Sequence, residues 1–120
     1  MEAIALTLVA LVALEHIYIL YLEMFAWTKP ATLKKFGMTA EQAETSKTLA
    51  ANQGLYNGFL AAGLVWGLVH PNAQVGEQIQ LFFLICVMVA ALYGGLTAKK
   101  SILIVQGLPA TLALIACVLL

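Results

Sequence analysis

The sequence predicts an all-α fold, a four-helix transmembrane bundle, and three observations carry that prediction. Hydrophobic residues make up 62% of the 120 residues and charged ones 10%, with a mean hydropathy of +0.94. Four apolar stretches, about residues 3–27, 48–69, 78–98 and 102–120, each come to the ~20 residues that a helix needs to cross the hydrocarbon of a bilayer. The connectors between them are short, so the chain reads as one transmembrane domain with the lipid bilayer as its first partner.

The first span, residues 3–27, is ~37 Å long as a helix, enough to cross with Tyr21 and Trp27 near one interface. It opens on Glu2, without a basic n-region or a small-residue cleavage pattern, and is expected to be retained. Inside it lie Glu15, His16 and Glu23. A charged side chain at bilayer depth costs about 2.5–3.5 kcal/mol on insertion scales, so such groups turn toward a bundle interior or a wet cavity. At 100° per residue Glu23 lies within ~20° of His16 and ~80° from Glu15, which lets all three face one interior. Glu15 sits near mid-membrane, and Glu23 lies ~12 Å closer to the Trp27 end.

The connector, residues 28–47, carries Lys29, Lys34, Lys35 and Lys47. Pro30 opens a short amphipathic turn with Leu33 and Phe36 on its apolar side, lying along the head groups. Thr39 and Gln42 then have capping-box spacing with Glu41 in the first turn, so the second helix is expected to begin before the membrane does.

The second span, residues 48–69, carries Asn52, Gln53, Tyr56 and Asn57 and stops before Pro71. Depth counting from the cytoplasmic ends sets Asn52 and Gln53 level with Glu23, and Tyr56 and Asn57 level with Tyr18 and Ile19. Glu23 is the acid expected to touch Gln53 or Asn57, since an unpartnered carboxyl in hydrocarbon is costly. Gly54/Gly58 and Gly63/Gly67 are two G-x-x-x-G pairs rotated ~180° from each other. One face suits the first helix; the other suits a second helix of the chain or another protomer, which makes a homo-oligomer one expected assembly. Trp66 and His70 read as interfacial anchors.

The third span, residues 78–98, brings Tyr93, and the fourth, residues 102–120, brings Gln106. With Tyr18 these are accessory polar groups in the same half of the membrane. Gly107 and Pro109 interrupt the fourth span and are expected to kink it. Cys86 and Cys117 read as small hydrophobes, since they lie in apolar runs without C-x-x-C spacing. No histidine or carboxylate pair has metal-ligand spacing, so no metal and no cofactor is expected.

The six lysines fall in the two loops after the first and third spans, and there is no Arg or Asp. By the positive-inside rule both loops are cytoplasmic, both termini lie outside, and a dual orientation is disfavoured. The formal net charge is zero although its distribution is uneven, and no nucleic-acid partner is expected.

Two motif blocks carry a resemblance: Glu15-His16-x-Tyr18-Ile19-x-x-Leu22-Glu23-Met24-Phe25-x-Trp27, with Phe36-Gly37 after it, and Asn52-Gln53-Gly54-x-Tyr56-Asn57-Gly58-Phe59-Leu60-Ala61-Ala62-Gly63-Leu64. They resemble the small bacterial membrane proteins called domain of unknown function 1304, over essentially the whole chain. The resemblance implies four helices in the bacterial cytoplasmic membrane and brings no catalytic residues with it. Small multidrug exporters share four helices and a mid-membrane Glu in the first, but the Asn-Gln-Gly-x-Tyr-Asn-Gly block is foreign to them.

The leading reading of function is small-molecule binding or proton-linked transport through a polar pocket between the first two spans. Its residues are Glu15, His16, Glu23, Asn52, Gln53, Tyr56 and Asn57. The rivals are a membrane-embedded acid/base enzyme acting on an apolar or lipid-like substrate, and a structural or partner-binding subunit using the glycine faces.

Overall fold

A computed structural model describes residues 2–120. Among the described residues every regular element is helical and there is no strand: α1 (Glu2–Phe25), α2 (Pro30–Phe36), α3 (Ala40–Val69), α4 (Ala73–Thr97), a π-helical turn (Leu103–Gly107) and α5 (Leu108–Leu119). Helices α1 and α4, of 24 and 25 residues, are long and apolar enough to cross a membrane, and only 28% of the most apolar window in each is buried. A helix at the centre of a soluble domain would be mostly buried instead. Leu103–Leu119 is apolar but shorter, and α3 opens with Glu41, Glu44 and Lys47 before its apolar part begins.

Most termini have a local cause. Pro30 stands at the start of α2, where its missing N–H removes nothing. Gly37, at φ +64°, ends that helix, and the N–H groups of Gly37 and Met38 return to the carbonyls of Lys34 and Leu33. This is a Schellman closure, in which glycine enters the left-handed region without a Cβ penalty. Two residues later the capping box closes: Thr39 N–H donates to Gln42 Oε1 at 3.0 Å, and Gln42 N–H donates to Thr39 Oγ1 at 3.1 Å. Helix α4 starts five residues before the expected position because Asn72 Oδ1 accepts from the N–H groups of Gln74 and Val75. The kink expected at Gly107 and Pro109 takes the form of the π turn. Pro109 has no N–H for the carbonyl one turn back, and the preceding turn widens to accommodate its ring.

The chain forms two compact units. The first combines α1 up to Glu15 with Leu60–Leu120. Its core is Val9, Val12 and Ala13 with Leu64, Leu84, Val87, Ala110 and Ala113. Within it the backbones of α3 and α4 meet at two glycines: a Cβ on Gly76 would stand 2.6 Å from the Gly67 carbonyl oxygen. Gly63 lies under the Phe83 ring in the same way.

The second unit is His16–Phe59. Trp27 packs on Phe36 with ring centres 5.1 Å apart and donates its indole N–H to Ser46 Oγ at 3.1 Å, which ties the end of α1 to α2 and α3. Lys35 and Lys29 extend over the rings of Tyr18 and Tyr21, at 5.1 and 5.9 Å, within the range of cation–π attraction.

Candidate functional site

The site is built on a close approach within the second unit. A Cβ on Gly54 would stand 2.7 Å from Met24 Cγ, 3.1 Å from Glu23 Cβ and 3.3 Å from the Leu20 carbonyl oxygen. A Cβ on Gly58 would meet Leu20 Cδ1 at 2.6 Å. Small residues at this seam let α3 lie directly on α1. Asn57, one turn beyond Gly54, then reaches the last turns of α1. Its Nδ2 donates to Glu23 Oε1 at 2.6 Å. Glu23 is only 9% exposed.

Beside this pair lies a cleft of about 330 Å3 lined by Glu23, Met24, Phe25, Trp27, Thr28, Lys47, Thr48 and Ala51. That is the lower end of the ~300–1,000 Å3 of small-molecule sites. Lys47 is ion-paired with Glu44 at 2.5 Å on the exposed side of α3, so a charged pair flanks the opening. Within the cleft the remaining hydrogen-bonding capacity of Glu23 suits a ligand with an ammonium or another strong donor.

The other expected residues each have their own surroundings. His16 is almost wholly buried. Glu15 is half-buried, and its Oε1 is a buried atom that makes no hydrogen bond. Asn52 is exposed and donates to the Thr48 carbonyl of its own helix, Gln53 is exposed, and Tyr56 is exposed with its ring beside Phe59. Tyr18 and Tyr93 are exposed, and Gln106 is half-buried in the π turn. Among the described residues no three His, Cys, Asp or Glu side chains gather as a metal site would need.

The two glycine seams are both filled from within one chain, Gly54/Gly58 by α1 and Gly63/Gly67 by α4. The first unit also holds a polar centre that sequence reasoning missed. Gln80, 6% exposed, donates from Nε2 to the Gly67 carbonyl at 3.0 Å and accepts from the Cys117 thiol at 3.7 Å. It borders a cleft of about 560 Å3 that also reaches Glu2, His70, Gln74 and Glu77. The available signal was one amide inside an apolar run, four residues after Gly76.

Comparison with known proteins gives a consistent result. The family model described as "Protein of unknown function (DUF1304)" matches residues 10–118. The chain is 42% identical over 118 residues to "Uncharacterized protein YpaA" of Lactococcus lactis subsp. lactis (strain IL1403), covering 97% of this chain and 98% of the relative. No solved structure matches it.

Proposed function

The chain belongs to the DUF1304 family, and from that premise we propose that it is a four-span protein of the bacterial cytoplasmic membrane that binds a small cationic or hydrogen-bonding solute beside Glu23 and couples it to proton exchange. The observation that carries this reading is the hydrogen bond from half-buried Asn57 to buried Glu23 at the edge of the cleft. An ionisable group held inside an apolar helix pair, with an opening beside it, is the usual arrangement of a proton or substrate relay. Four spans are favoured by the large apolar residues exposed on every long segment, among them Leu11, Phe59, Val89 and Ile115. A water-soluble protein rarely displays so extended an apolar surface. The 21 residues Leu49–Val69 contain no charge, and at 1.5 Å per residue they span ~31 Å.

Purified protein in liposomes containing a trapped pH dye, challenged with a panel of small primary and quaternary amines, tests the function. At least one amine is expected to drive proton movement in the wild type. Glu23→Gln keeps a hydrogen-bonding partner for Asn57 but cannot titrate, and is expected to lower that movement at least about tenfold, equivalent to ~1.4 kcal/mol of coupling. Wild-type coupling in the variant, or no response to any amine, would reject the reading.

Orientation is tested separately. With Cys86 and Cys117 replaced by Ala, an impermeant maleimide should label Lys34→Cys and Lys99→Cys only from the cytoplasmic side and Gln74→Cys only from outside. Labelling of one position from both sides in intact cells would exclude a single orientation.

A further inference from the structure

In the first unit a groove of about 580 Å3 runs between α4 and the π turn with α5, walled by Ile85, Met88 and Leu92 on one side and Leu103, Leu108 and Leu114 on the other. It carries no charged lining residue, and its one hydroxyl, Thr111 Oγ1, is already donated to the Gly107 carbonyl at 2.7 Å. The groove therefore offers shape and apolar contact along its length, with no demand for a polar ligand group. At one end, α4 stops at Thr97 and the chain turns through Lys99 and Lys100. The carbonyl of Lys100 accepts from the N–H of the wall residue Leu103, which fixes the basic turn at the groove's end.

We propose that this groove is a binding site for one anionic phospholipid, with an acyl chain between α4 and α5 and the head group at Lys99 and Lys100. The inference rests on the membrane reading above, though not on the role given to Glu23. The groove runs ~10–16 Å along its walls, from Ile85 to Leu92 and from Leu103 to Leu114 at 1.5 Å per residue, and its apolar lining suits an acyl chain. Charge decides the head group: two adjacent lysines beside a groove without acids favour an anionic one. The π turn supplies one wall, consistent with the tendency of such turns to occur at functional positions.

The test uses the full chain in phosphatidylcholine vesicles containing a trace of phosphatidylglycerol with a photoreactive acyl chain, compared with phosphatidylcholine carrying the same chain. Peptide mass mapping should place the adducts on residues 85–92 and 103–114. The anionic probe should exceed the neutral one by about fivefold for each lysine engaged. Lys99→Gln with Lys100→Gln should bring the anionic probe down to the neutral level with unchanged thermal stability, and Val89→Trp, which fills the groove, should lower both. Equal labelling by the two probes, labelling spread evenly over the exposed faces of α1 and α3, or a chain-to-chain adduct through the groove would each overturn the proposal. If the chain stays in the vesicles through an alkaline wash, only the lipid site has failed. If the wash releases it, the membrane reading falls as well.

Discussion

Gly76→Val is expected to destabilise the first unit by about 2–6 kcal/mol or to prevent its folding. The reason is the identity of the atoms it would meet. A Cβ at position 76 stands 2.6 Å from the Gly67 carbonyl oxygen, and one at Gly67 stands 3.0 Å from both the Gly76 oxygen and the Gln80 nitrogen. These are backbone atoms of two regular helices, so neither can swing aside as a side chain would, and α3 and α4 must separate. Overpacking of this kind typically costs about 1–3 kcal/mol. Separation also breaks the Gln80 Nε2–Gly67 bond, leaving a buried amide donor unmet at about 1–3 kcal/mol more. Gly94→Ala is the control, because its Cβ would meet only the end of the Ile102 side chain, at 3.3 Å, and it should change stability by less than about 1 kcal/mol. Denaturant unfolding in detergent followed by circular dichroism measures both, and equal stability of the two variants would show that the glycine contact is not made.

What the sequence made visible was chiefly local. The Pro30 and Gly37 boundaries of α2 and the Thr39–Gln42 box are decided by residues within a few positions of each other, and each appears where the chemistry places it. Depth counting set Gln53 level with Glu23 and Asn57 about one turn further along, and of the two partners expected for Glu23 it is Asn57 that makes the contact. Helical phase was harder. Gln53 lies only ~40° from Asn57 but Asn52 lies ~140° away, so one helix face could not hold every polar group of the motif, and both residues are exposed. Hydropathy gives little help in such a chain, since large apolar residues stand on the exposed helix faces as well as on the buried ones. Gly76 escaped notice for another reason. Asn72 caps α4 earlier than the apolar pattern begins, so a residue that reads as loop is a helix contact, and Gln80 beside it lost its partner in the reading.

The Glu23–Asn57 pair should show its energy in a double-mutant cycle. Asn57→Leu removes the amide that donates to Glu23 Oε1 and leaves a carboxyl 9% exposed, so it should destabilise the second unit by about 1–3 kcal/mol, at the upper end if the group stays charged. Glu23→Ala leaves the Asn57 amide without its acceptor and opens space against Gly54, and should cost about 1–2 kcal/mol. The two changes together should cost less than their sum by ~0.6–1.7 kcal/mol, the range of polar bonds between membrane helices. Leu64→Ile, in the core of the other unit, should add to either change without coupling. Thermal unfolding of the four proteins in one detergent supplies the cycle. Strict additivity of Glu23→Ala and Asn57→Leu would mean that the two side chains do not meet, and would remove the group on which solute and proton are proposed to act.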